Sequence, residues 1–252
     1  MTALGVVFLP QLPPERLRGI ARAADEAGLD ELWLWEDCFW ESGIAAAAAA
    51  LGWTERLRVG IGLLPVPLRN VALTAMEVAT LDRLFPGRVR VGVGHGVQEW
   101  MGQVGARVGS PLTLLREYLT ALRALLRGER VSTTGRYVNL DRVQLVWPPE
   151  QPPPILAGGI GPRTLEVAGK YADGTILVAG TPPERVAEAG GRVVVYVHAA
   201  EVANLQRYVD AGADTVVVQP DPDDPDPENF VRFVAREWGP AVRNGGTRSS
   251  QR

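Results

Sequence analysis

Short unbroken apolar runs alternate along this chain with stretches in which apolar residues recur every three or four positions. The first kind reads as buried strand and the second as helix packed on one face. Leu4–Leu9 is the first strand run. Pro14–Gly28 follows, with Leu17, Ile20, Ala21, Ala24 and Ala27 at helical spacing. Proline at its start and glycine just past its end suit a helix. The same reading gives strands at Glu31–Trp35, Leu57–Leu63, Arg88–Val93, Ile155–Ala157, Thr175–Val178, Arg192–Val197 and Thr215–Gln219. Between and after them it gives helices at Ser42–Leu51, Ala72–Leu84, Pro111–Arg127, Arg163–Tyr171, Pro183–Ala189, Val202–Ala211 and Pro227–Trp238. Asp226 is placed to cap the last of these.

Eight strand–helix units in 252 residues, about 31 residues each, predict an α/β (β/α)8 TIM barrel. A doubly wound open sheet is the alternative. Residues 131–147 interrupt the alternation before the fifth strand; Val131–Val138 reads as a hairpin inserted there. No Pro/Gly/Ser-rich linker divides the chain, so residues 1–242 are expected to form one domain. Residues 243–252 read as a polar, disordered tail.

Composition narrows the function. The net charge of −3 gives no basic surface for nucleic acid or a polybasic membrane contact. Gly43–Trp53, the longest apolar stretch, is too short to span a bilayer, and no signal peptide precedes Leu4. Cys38 is the only cysteine, which fits a reducing, cytoplasmic setting. Lys170 is the only lysine among 26 basic residues, as in proteins from GC-rich bacterial genomes. Two histidines and one cysteine, widely spaced, make no metal site.

Barrel chemistry gathers at the C-terminal strand ends. The second strand ends in Trp33-Leu-Trp35-Glu36-Asp37-Cys38-Phe39-Trp40. Tryptophans beside carboxylates there either wall a flat heterocycle or simply pack beneath a loop. The third ends in Gly60-Ile-Gly62-Leu63, where glycines mark a bulge or a close backbone approach. The fourth ends in Gly92-Val-Gly94-His95-Gly96-Val97-Gln98-Glu99. Its alternating glycines leave room for a ligand, but the third glycine of a dinucleotide fingerprint is replaced by Val97. Gly158-Gly159 and Gly180-Thr181 each precede a helix, and serve either as anion sites or as tight turns.

Together these stretches resemble the luciferase-like monooxygenase family, above all its branch dependent on the deazaflavin coenzyme F420. The similarity is densest in the first 180 residues. It runs through Leu32–Asp37, Arg58–Leu63, Ala79–Gly105, Leu115–Tyr118, Gly128-Glu129, Gly135–Tyr137, Pro154–Pro162 and Ala172–Gly174. The resemblance implies a ring pocket over the second to fourth strands. It also implies a bulge at Gly62–Leu63 of the kind that often carries a non-prolyl cis peptide. It places Trp35, Asp37, Gly62, Leu63, Gly94, His95 and Gly96 against the ring and Gly158, Gly159, Gly180 and Thr181 near the coenzyme phosphate. Cys38 stands where the family often has histidine. The C-terminal third, from Pro182 onward, is shorter than relatives usually have.

The implied activity is hydride transfer between F420 and a small organic substrate, with Asp37, His95 and Glu99 as candidate catalytic groups and a homodimer as the assembly. An FMN-dependent monooxygenase and a non-catalytic flavin-binding relative are the alternatives.

Overall fold

In a computed structural model, which describes residues 1–159 and 161–245, eight parallel strands close into one barrel. They are β1 (Ala3–Phe8), β2 (Glu31–Leu34), β3 (Arg58–Pro65), β4 (Val89–Gly94), β7 (Ile155–Gly158), β8 (Gly174–Leu177), β9 (Arg192–His198) and β10 (Thr215–Gln219). The order around the wall is β1-β10-β9-β8-β7-β4-β3-β2, and β1 closes the barrel by pairing with both β2 and β10. The open-sheet alternative is excluded.

Strand side chains alternate between two apolar layers, as the pleat requires. Leu32, Leu34, Val59, Ile61, Val91 and Val93 point outward against the helices. Val7, Trp33, Leu156, Ile176, Val194, Tyr196 and Val217 fill the barrel itself. Full burial of an aliphatic side chain stabilises by about 1.5–3 kcal/mol.

The wall helices are α1 (Leu17–Ala27), α2 (Gly43–Trp53), α3 (Val71–Leu84), α5 (Pro111–Leu126), α6 (Pro162–Tyr171), α7 (Glu184–Glu188), α8 (Leu205–Asp210) and α9 (Pro227–Gly245). Gly28 ends α1 in the left-handed conformation at φ 77°, which glycine adopts without steric cost. Asp226 accepts the Asn229 N–H at the start of α9, as its position predicts.

Three aspartates bind the base of the barrel in a repeated way. Asp30, Asp173 and Asp214 each stand one residue before a strand. Their carboxylates accept the N–H of Leu4, Ile155 and Val193, near the starts of β1, β7 and β9. Each aspartate's own N–H is donated back to the carbonyl of the same residue. The ladder is thereby continued beyond the strand ends at β1/β2, β7/β8 and β9/β10.

The structure departs from the sequence reading in four places. A short helix, α4 (Gln98–Gln103), follows β4; with six residues and only Met101 buried it has no readable periodicity. The inserted hairpin pairs β5 (Val131–Thr134) with β6 (Asn139–Val143), so Gly135–Val138 is its turn rather than its second strand. The Glu117 carboxylate on α5 takes the backbone N–H groups of Arg136, Tyr137 and Val138 and anchors that turn. Helix α9 continues to Gly245, so residues 243–245 are helical rather than tail; residues 246–252 lie outside the described residues. Finally, α7 and α8 have only five and six residues, yet β8, β9 and β10 still pair fully. The compressed third shortens helices and leaves the wall intact.

Candidate active site

The C-terminal mouth of the barrel is built on a layer of aromatic and apolar side chains. On β2 the inward residues are Trp33, fully buried, and Trp35, just beyond the strand and partly exposed. Trp33 donates its indole N–H to the buried Glu31 carboxylate at 2.9 Å. Both rings meet Tyr196 of β9 edge-on, at 6.0 and 5.7 Å between centroids.

The neighbouring strands leave room for this layer. A Cβ on Gly60 would lie 2.4 Å from the Trp33 ring, and one on Gly62 would lie 2.4 Å from the Tyr196 hydroxyl. On β4, Cβ atoms at Gly92 and Gly94 would come within 2.9 and 2.7 Å of the Leu63 side chain. The β3 and β4 glycines do mark a close approach, but the space they leave is taken by the chain's own side chains. Leu63 follows a cis peptide from Gly62, at a register shift between β3 and β4. With Trp35 and Ala179, also partly buried, it forms the apolar floor of the mouth.

The loop from β2 to α2 carries three acids and a thiol. Glu36 is committed to structure: Arg69 grips it through both guanidinium nitrogens, and it accepts the Gly43 N–H at 2.8 Å. Arg69 also faces Glu77 at 3.4 Å. Asp37 has no ion pair among the described residues, and burial pushes its pKa up. Both Glu41 carboxylate oxygens are buried without a hydrogen-bond partner; burial, then the nearby Asp37 charge, push its pKa up as well. The Cys38 thiol is raised by burial and by Glu36 and Asp37, which makes it a poor nucleophile. Phe39 and Trp40 on the same loop are 62% and 57% exposed.

Across the mouth, His95 follows β4. Its Nδ1 lies 2.9 Å from the Gly96 carbonyl and its Nε2 3.4 Å from the Thr164 hydroxyl on α6. A carbonyl can only accept, so Nδ1 carries a proton, and in the neutral ring Nε2 presents a lone pair. Gly159 sits beside both, 3.6 Å from Nε2 when measured from an added Cβ. At Gly158 a side chain would strike the Ile176 carbonyl at 2.6 Å. Helix α6 then starts at Pro162 with no side-chain cap.

The remaining candidates are less convergent. Thr181 gives both its N–H and its hydroxyl to the Val178 carbonyl, at 3.2 and 2.6 Å, in the turn where Gly180 takes φ 80°. Glu99 lies exposed on α4, without a partner among the described residues. The structure thus brings His95, Gly159 and Thr164 together on one side and Trp35, Asp37, Leu63 and Gly94 on the other, while Glu99 joins neither group by a hydrogen bond or ion pair among the described residues. Glu41, Thr164 and Tyr196 were not legible as site residues. Tyr196 gave one hint, as the only polar-bearing side chain within Val193–Val197.

A cleft of about 580 Å³ lies at the opposite end of the barrel between Arg83, Arg90, Gln151 and Pro153. Arg90 there donates to the Gly87 and Val89 carbonyls, and Arg83 to the Pro148 carbonyl. Among the described residues no helix is long and apolar enough to cross a membrane, and no three His, Cys, Asp or Glu side chains gather as a metal site.

Comparison with known proteins agrees with this architecture. The chain is 28% identical over 181 residues to a 5,10-methylenetetrahydromethanopterin reductase of Methanolobus tindarius, covering 71% of this chain and 55% of that protein. It is 35% identical over 185 residues to an F420-dependent glucose-6-phosphate dehydrogenase of Kineococcus radiotolerans, covering 68% and 54%. It therefore spans about half the length of these curated relatives. The fold matches the coenzyme F420-dependent tetrahydromethanopterin reductase of Methanopyrus kandleri with a TM-score of 0.82 at 18% identity, over 96% of this chain and 99% of that one. Residues 3–215 match the luciferase-like monooxygenase family, and the chain belongs to it.

Proposed function

We propose that this chain is an oxidoreductase that exchanges a hydride between coenzyme F420 and a small organic substrate. The observation that carries the reading is the mouth itself. An apolar floor of Trp35, Leu63 and Ala179 adjoins Asp37, an acid without an ion pair among the described residues. A flat heterocycle with one polar edge suits that combination. The F420-dependent relatives favour a deazaflavin as that heterocycle.

When bound, the coenzyme supplies a hydride carried on carbon; the protein supplies position and electrostatics. In this reading Trp35, Leu63 and the β4 backbone at Gly94 and Gly96 support the ring, and Asp37 meets its polar edge. Gly158, Gly159, Gly180 and Thr181 lie by the phosphate, at the uncapped start of α6 and the neighbouring turn. The fit is supported by polar groups at the mouth that lack partners, Asp37 and the Glu41 oxygens. His95 holds a lone pair at Nε2, beside Thr164, and is the group suited to take or return the substrate proton.

The reading also places the chain in the cytoplasm as a homodimer. Leu73, Met76 and Leu84 leave α3 with an exposed apolar stripe that a second copy would cover. Light scattering at micromolar concentration reports the assembly.

The deciding experiment is titration with F420, FMN and NADPH, followed by fluorescence. F420 should bind most tightly. Equal or tighter binding of FMN would transfer the reading to an FMN-dependent monooxygenase.

A further inference from the structure

The Tyr196 hydroxyl is out of place in a barrel core. The residue is 4% exposed, surrounded by Val7, Trp33, Ile176, Val194 and Val217, and its oxygen has no hydrogen-bond partner. A buried hydroxyl without a partner is destabilising, and phenylalanine would fill the same volume without that cost. Backbone room is also reserved for the oxygen: it stands 2.4 Å from where a Cβ at position 62 would be, so the β3 bulge accommodates it only with glycine.

Its surroundings point toward the mouth. Tyr196 is on β9 two residues before the strand ends, and Trp35 and Leu63 of the floor pack against its cluster. The Trp35 indole leans toward the oxygen without reaching bonding geometry, and the charge of Asp37 is close enough to act on it. Burial drives the phenol pKa far up, so the group keeps its proton at every working pH. An indole N–H can only donate. The phenolic proton is therefore the part left without an acceptor.

Resting on the F420 reading above, we propose that Tyr196 is a positioning residue whose hydroxyl donates a hydrogen bond to an acceptor atom on the edge of the bound ring. The acceptor is a carbonyl oxygen or unprotonated nitrogen of the heterocycle. Trp35, partly exposed and edge-on to the phenol, is the floor side chain whose rotation opens the oxygen to the ring edge. The ring then lies against the β9 side of the floor as well as against β2 and β3. The polar atom of the barrel core thus acts in ligand binding, at a standing cost to the empty protein.

The test is Tyr196→Phe, read in two ways. Thermal melting of the ligand-free protein should show an unchanged or higher Tm, because only the unpaired hydroxyl is removed. Titration with F420 should show affinity reduced by about tenfold, and the Tm increment from saturating F420 should shrink accordingly. A purely structural tyrosine would give the opposite pair: lower Tm and unchanged affinity. If wild type and variant bind F420 equally, the inference is wrong while the F420 reading stands. If wild type prefers FMN, the F420 reading fails, and the same comparison with FMN decides the role of Tyr196. If wild type binds neither, both are overturned.

Discussion

Single side chains settle what the strand glycines are for. A sequence shows that a side chain is missing at Gly60, Gly62, Gly92 and Gly94, but not which neighbour occupies the gap. Here the occupants are Trp33, Tyr196 and Leu63. This can be tested by a double-mutant cycle. Gly62→Ala should destabilise by about 1–3 kcal/mol through overpacking. The penalty should be at least about 0.5 kcal/mol smaller in a Tyr196→Phe background, where the clashing oxygen is gone. Additive denaturation energies would show that the two positions do not touch. The acids of the β2–α2 loop give a second test. Asp37 and Glu41 hold their protons more tightly folded than unfolded, so between the ordinary and the raised pKa the native state binds more protons. Stability is then fullest below that window and falls as pH rises through it. Glu41→Gln should raise Tm at pH 7 by roughly 2–4 °C, the shift expected from about 1 kcal/mol in a chain of this size. The gain should disappear near pH 4, where the wild-type carboxyl is already neutral. A pH-independent difference in melting scans would mean that charge is not the cause.

Strands and helices were legible because each has a periodicity that burial enforces. Val193–Val197 and Thr215–Gln219 are covered on both faces and read as unbroken apolar runs, whereas α1 shows a one-sided stripe. Elements too short to repeat gave no such signal. Helix α4 passed unnoticed, and the 131–143 hairpin was found with its turn misplaced because Val138 is apolar but sits in the turn. The partners of the site were hidden for another reason. That the oxygens of Glu41 or Tyr196 lack a bond is a property of their spatial neighbours, which no local spacing records. The aspartates before β2, β8 and β10 lie between these cases: Asp30, Asp173 and Asp214 recur at equivalent points of their units, yet only the structure shows them exchanging two hydrogen bonds with the preceding barrel strand. Asp30→Ala and Asp173→Ala should each cost about 1–3 kcal/mol by stranding a backbone N–H. With no shared partner, the two losses should add in urea denaturation. A double variant no less stable than either single one would refute independent bonding.

The barrel as a unit depends on its last helix. Helix α9 buries Val231, Val234, Ala235 and Val242 and packs on α1, α8 and β1, and Arg16 pairs with Glu228 across that contact. A chain ending at Asp226 should lose the single sharp thermal transition followed by circular dichroism, because the α1 and β1 surfaces would be left open to water. Retention of a cooperative melt at the full-length Tm would show that α9 is dispensable for closure. The placement of the three aspartates has a consequence for how such a protein can be altered. They secure the wall at the end remote from the mouth, so the segments around the mouth can be exchanged while the wall stays closed. The segment Ala199–Asn204, which follows β9 at the mouth end, is the natural place to begin, since β9 and β10 keep their pairing and Asp214 its hold on Val193 whatever length follows. Grafting a longer segment there is a route to retargeting the chain toward bulkier molecules.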